Sequence, residues 1–185
     1  MLKVRVESDR LLIGDRFRVS FMRTLRIPDD GRDYPLPPGL GTFPIRRVKD
    51  YSDRVPASWR EQGGVFIPMY QREALWLSFD GHDWHPAAVK VGIGKINALS
   101  AKPWDQDLSN TKQDYMVVPD QPWLDGINAG KGFIRQFVAM PLGMGYTVEG
   151  QLTGKEEFGG IQMVVYEAKP GKFPDKEPKR ERPDV

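Results

Sequence analysis

Hydrophobic and polar residues alternate from the first segment of the chain. In "LKVRVES" Leu2, Val4 and Val6 share one face, and Lys3, Arg5 and Glu7 the other. In "RFRVSFM" Phe17, Val19 and Phe21 oppose Arg16, Arg18 and Ser20. A period of two in aromatic and β-branched residues predicts half-buried strands. The same reading gives strands at "GVFIPMY", "ALWLSF", "AAVKVGI", "DYMVV", "GFIRQFVAM", "YTVEGQL" and "IQMVVYEA". The turn signals "DDGRD", "SFDGHD" and "LTGKEEFGG" punctuate them. One modest helix is expected at "PASWREQG", with Pro56 early and Gly63 at its end. No long helical pattern lies between strands, so the fold class is mainly β. The expected form is an antiparallel sandwich or barrel with a long Pro-rich loop and at most one or two short helices.

Two stretches break the pattern. "IPDDGRDYPLPPGLGTFPI", residues 27–45, holds five prolines and reads as a long ordered loop or arm. "KPGKFPDKEPKRERPDV", residues 169–185, is charged, Pro-rich and poor in apolar groups, and cannot bury enough surface to order itself. The expected organisation is one β-rich domain over 1–168, including the arm, followed by a tail that is disordered unless it docks on a partner.

Charge refines this picture. The tail carries six Lys/Arg against four Asp/Glu, and the remaining residues sum to zero. Residues 1–60 hold 13 Lys/Arg against 8 Asp/Glu, whereas residues 61–168 hold 8 against 13. A neutral body lacks the basic footprint of a nucleic-acid binder. A +5/−5 split instead offers complementary potentials to a second copy, unless the two halves interleave and cancel in space. There is no cysteine, which excludes disulfides, thiolate nucleophiles and Cys-based zinc sites. The start "MLKVRVES" has no apolar signal region and no apolar run reaches membrane-helix length, so a soluble cytoplasmic protein without membrane insertion is expected.

Candidate chemistry is sparse. "DGINAGKGF", residues 125–133, resembles a phosphate cradle, but only three residues separate Gly126 from Gly130. Gly132 also stands where a P-loop hydroxyl belongs, and a strand pattern follows instead of a helix. A glycine-bearing turn is the expectation. "VGIGKINAL" lacks the third glycine of a dinucleotide motif, and glycines within a strand mark a bulge or a close backbone approach. "DQDLSN", from Asp105, lacks the glycine and glutamate of a calcium loop. His82 and His85, with Asp83, are the one place where an unfamiliar enzyme site or a metal would be sought, but no third or fourth ligand is visible. No serine sits in a nucleophile elbow. No catalytic residue, metal or cofactor is therefore assigned. Trp104 and Trp123 each follow a proline in an expected loop, and with Asp125 they are the candidate ligand-binding residues of a lectin-like module taking a small ligand or glycan.

Four segments together carry a resemblance: "LPPGLGTFPIRRVKDY", "GVFIPMYQREALWLSF", "AVKVGIGKINALS" and "QPWLDGINAGKGFIRQFVAMPLGMGYTVEGQLTGKEEFGGIQ". Over roughly residues 17–168 the chain resembles an uncharacterised family of bacterial and fungal proteins, often labelled hypothetical or integral membrane protein. The resemblance implies no established activity. The leading expectation is a non-enzymatic structural or interaction protein that self-associates into a homo-oligomer or larger assembly. Tyr34, Leu36, Leu40 and Phe43 of the arm and Phe173 of the tail would be its interface side chains.

Overall fold

A computed structural model describes residues 1–128 and 133–179 of the chain. The strands are β1 (Val4–Glu7), β2 (Arg10–Ile13), β3 (Phe17–Thr24), β4 (Gly39–Thr42), β5 (Arg46–Arg47), β6 (Val65–Phe66) and β7 (Ala74–Asp80). Then follow β8 (Ala87–Ile93), β9 (Ile96–Asn97), β10 (Met116–Val118), β11 (Trp123–Leu124), β12 (Gly126–Asn128), β13 (Ile134–Val138) and β14 (Ile161–Glu167). Two short helices, α1 (Ala57–Gln62) and α2 (Val148–Thr153), and a 3-10 turn at Val48–Tyr51 complete the described elements. The molecule is mainly β, as the alternation predicts.

The strands form a sandwich of antiparallel sheets, and among the described residues neither large layer closes into a barrel. One layer runs β1-β2-β3-β7-β13-β12, with β4 beside β3 and β11 beside β7. The other runs β10-β8-β14, with β9 beside β8. Strand β3 is the pivot of the first layer. One of its edges pairs with β7 from Arg18↔Asp80 to Thr24↔Ala74. Its other edge is shared, with β2 along the first half and β4 along the second. A single core lies between the layers. Phe17, Val19, Phe21, Leu75, Leu77 and Phe79 meet Val89, Val91, Met116, Val118 and Val165 there. The β3 residues of that core are the alternate positions read from the sequence.

Strand β8 is buried on both faces. Val89 and Val91 enter the core, while Lys90 and Gly92 point to the outer face, where the segment from Ala101 to Asp114 covers them. Gly92 permits the closest approach. A Cβ there would lie 2.5 Å from Trp104, so the indole rests directly on the strand. The Lys90 side chain is 0% exposed and ends between Asp105 Oδ1 at 2.6 Å and Asp114 Oδ2 at 2.9 Å, while also donating to the carbonyl of Asp107. Tyr166 of β14 donates to the carbonyl of Gln106 and fixes the middle of the same segment.

Several local expectations change. "YTVEGQL" is helix α2, not a strand: Thr147 caps it by accepting the amide of Gly150, and Gly154 ends it in the left-handed conformation. Two strands carry little sequence signal. β2 is a continuous apolar run, and β4 lies inside the Pro-rich segment. Gly126 belongs to β12 and not to a turn. A Cβ there would fall 2.2 Å from the carbonyl oxygen of Arg135, so only glycine lets β12 lie against β13. Gly130, Lys131 and Gly132 lie outside the described residues.

The arm and tail both return to their own domain. Leaving β3, Leu25 and Ile27 bond to the side-chain amide of Gln136 on β13. The chain comes back at Pro38, whose carbonyl accepts the Thr24 hydroxyl at 2.9 Å, and enters β4. Past β14, Phe173 and Pro174 meet His85 on the turn between β7 and β8, and Asp175 meets Arg16 between β2 and β3. No helix among the described residues is long and apolar enough to cross a membrane.

Burial opposes the charge on Lys90, but the hydrogen bonds it donates to Asp105 and Asp114, with their charges, outweigh it and hold the ammonium above the usual lysine range. The Lys90 bond, chiefly, lowers Asp105. The two shifts act at opposite ends of the pH scale. Stability from the raised lysine is complete below about 10.4 and is lost as pH rises through the folded value. Stability from the lowered Asp105 is present above about 3.9 and is lost as pH falls through its folded value. Replacing Lys90→Met keeps the stem but leaves Asp114 near-buried without its cation, and should cost about 3–5 kcal/mol in denaturant unfolding. A variant as stable as the parent would show that this lysine does not hold the outer segment.

Candidate interaction surface

The stretch from Ala139 to Gly160 leaves the large layer after β13 and returns to the small one at β14. It forms a lobe with an inverted construction, in which a carboxylate lies inside. Glu149 of α2 is 3% exposed. Its Oε1 accepts the amides of Glu157 and Phe158, each at 2.9 Å, and its Oε2 accepts that of Gly159 at 2.7 Å. Glu156 accepts the Thr147 hydroxyl and the amides of Thr147 and Gly145. The Thr147 hydroxyl bond, followed by those amides, lowers the Glu156 carboxyl to about 2. Loop amides and one threonine hydroxyl thus converge on two acids, and Glu149 takes a buried position where a small domain would ordinarily place Leu or Val.

Val148 packs against the core, but most large apolar side chains of the lobe point outward. Leu142, Met144, Tyr146, Leu152 and Phe158 are 48–62% exposed, and Phe133 and Ile134 at the adjoining start of β13 are 45% and 59% exposed. These groups belong to one body. Leu142 would touch a Cβ on Gly159 at 3.1 Å, Arg135 of β13 bonds Gln151 of α2, and Lys95 lies 6.0 Å from the Phe158 ring centroid. Scattered single apolar residues on a surface are ordinary, whereas seven large exposed ones fall here within 26 residues of chain. Sequence reading misses this surface because its apolar residues sit among glycines with no helical or strand period. The available signal is "PLGMGY", which exposes Leu, Met and Tyr between glycines too small to cover them.

The residues singled out from sequence are dispersed. Trp104 packs on the small layer over Gly92, with the Lys90 ammonium 6.0 Å from its ring centroid. Trp123 is 47% exposed on β11, in the large layer. Asp125 is half-buried where β11 gives way to β12, and its carbonyl accepts the Phe137 amide at 3.2 Å. The two indoles therefore sit on different sheets. In the arm, Tyr34 bonds Asp30 at 2.8 Å, Leu36 is half-buried and Leu40 is 52% exposed on β4. Phe43 is 0% exposed in the core and has no surface to offer a neighbour, because the chain leaving β4 turns its aromatic inward beside Phe21. Phe173 packs on His85 of its own chain.

The histidines do not converge. His82 stacks on Trp84 with centroids 4.8 Å apart, while His85 Nδ1 meets the Pro174 carbonyl at 2.8 Å. Among the described residues no group of three or more His, Asp or Glu is placed to hold a metal ion. An open concavity of about 540 Å³ lies between β1 and the 3-10 turn, with Arg46, Arg47 and Arg54 in its wall. Its arginines are met locally: Arg47 by Asp50 at 2.7 Å, Arg54 by Asp53 at 3.5 Å, and Arg46 by the Ile45 carbonyl.

Two measurements test the inverted lobe. Glu149→Ala removes the acceptor of three part-buried hydrogen bonds and should destabilise the protein by about 1–3 kcal/mol. Amide exchange at 157–159 should rise while β8 stays protected. Because the folded pKa of Glu156 is depressed, its contribution is present above about 4.3 and is lost as pH falls toward 2. Amide protection at Gly145 and Thr147 should follow that acid limb, and protection unchanged down to pH 2 would contradict it.

No family model matches the chain, and no curated protein or solved structure matches it either.

Proposed function

We propose that this protein is a non-enzymatic interaction protein that self-associates, with the Ala139–Gly160 lobe and the start of β13 as its contact surface. The carrying observation is the outward apolar face of a lobe whose own interior is polar. The exposed part of such a face gains about 25 cal/mol for each Å² a partner covers. A second copy suits it electrostatically. The lobe belongs to the half of the chain with a −5 balance, and β1, β2 and β3, from the +5 half, sit at the opposite end of the large layer. Part of the split is answered within one molecule, by Arg18–Asp80 at 3.8 Å and by Arg23–Glu73. The apolar lobe, more than the charge, supports the reading.

A second reading, a lectin-like module, has one observation in its favour, the half-exposed Trp123. Intrinsic fluorescence titrated with a glycan panel should then respond and lose its response in Trp123→Ala.

Sedimentation equilibrium at low ionic strength should find dimers or larger species. The double substitution Leu142→Glu and Leu152→Glu should return them to monomer with the melting temperature unchanged, since both side chains are about half exposed. A strict monomer at high protein concentration would overturn the proposal.

A further inference from the structure

The tail meets the domain through a set of contacts that reads as peptide recognition. Lys169-Pro170-Gly171-Lys172 forms a turn closed by the Lys172 amide on the Lys169 carbonyl at 3.1 Å, with Gly171 at φ +76°. Proline second and a positive-φ glycine third is the composition of a type II turn. That turn carries Phe173 onto the loop joining β7 to β8. There Trp84 stands between three neighbours: His82 stacked on it, Arg16 with its guanidinium 5.8 Å from the ring centroid, and His85 edge-on at 6.0 Å.

Three consecutive tail residues are each read differently. The Phe173 ring lies 6.2 Å from the His85 imidazole. The Pro174 carbonyl, which can only accept, meets His85 Nδ1 at 2.8 Å, so that nitrogen carries the hydrogen. The Asp175 carbonyl accepts from Arg16 Nη2 at 3.0 Å, and its carboxylate lies 3.9 Å from the same group. With the tail in place His85 is 7% exposed. Proline adds an extended, pre-set backbone with no amide to satisfy. An aromatic anchor, two main-chain carbonyls and one acid are thus matched by an imidazole edge on the turn between β7 and β8 and a guanidinium on the turn between β2 and β3. Packing a solvated tail does not require this combination.

We propose that Arg16, Trp84 and His85 form a recognition site for an extended aromatic–Pro–acid peptide, occupied in this chain by its own Phe173-Pro174-Asp175 and able to take the same segment supplied in trans. The site does not depend on the lobe or on assembly. In cis the short tether holds the segment at an effective concentration on the order of millimolar, which keeps the site filled.

The test uses the full chain carrying Phe173→Ala and Asp175→Ala, which empties the site without touching its walls, and a fluorescent peptide of residues 169–179. Saturable binding to the emptied chain is expected, with at least about tenfold weaker apparent binding to the intact chain. A peptide with its own Phe173→Ala should not bind, and adding His85→Ala to the emptied chain should abolish binding. The peptide substitution leaves the protein unchanged and decides the matter even if the His85 variant folds poorly. Equal binding to both chains, binding to neither, or binding of the Phe173→Ala peptide would each overturn the proposal.

Discussion

A single buried ammonium organises the outer side of the small sheet. Lys90 sits on a strand whose other face is the core, so its side chain cannot reach water by turning over. It is stable there only because Asp105, Asp114 and the Asp107 carbonyl come to it. An unpaired charge in that position would cost far more than any surface pair returns. The constraint spreads from there. Bringing those groups to Lys90 lays the 101–114 segment across β8 and seats Trp104 on Gly92. It also places Asp114 where its carbonyl accepts the side-chain amide of buried Asn97 at 2.9 Å. Packing on one face of β8 and electrostatics on the other fix the strand between two non-equivalent layers.

The lobe uses the same chemistry with the roles reversed. Around Lys90, acids on a loop neutralise a cation on a strand. In the lobe, Glu149 and Glu156 organise a loop through its amides, with no cation required. Both solutions order irregular backbone with polar contacts and leave apolar side chains unassigned. Around Lys90 the largest apolar group, Trp104, is folded onto the strand, and a single large one, Leu108, stays 36% exposed. In the lobe most of the large apolar groups face solvent. That difference is why the lobe, and not the Lys90 segment, is the candidate contact surface.

The sequence reveals the mainly-β class because half-buried strands write their burial as alternation, and β3 and β7 do so clearly. β8 is legible as a strand, but nothing local says that Lys90 is buried. A lysine at an outward position reads as solvent-facing until the loop some fifteen residues later is known to cover it. Helix α2 is misread because Thr147 and Val148 favour extended backbone, whereas its helical signals are a cap at each end of six residues. The Pro-rich arm suggests reach, but its two ends are stitched to adjacent positions of β3 and to Gln136, which no local composition encodes. Of the candidate residues, Trp104 rests on Gly92 and Phe43 lies in the core, whereas His85 and Phe173, singled out for unrelated reasons, meet each other.

The pairing of Thr24 with Gly39 closes the base of the excursion between β3 and β4. Everything beyond Ile27 and before Pro38 can therefore change length without altering the register of the sheet, and each doubling of such a loop adds only about 0.6 kcal/mol of closure entropy. The excursion is in effect a socket in the scaffold. Evolution can lengthen it, or an engineer can replace it with a foreign epitope, while the sandwich beneath keeps its shape.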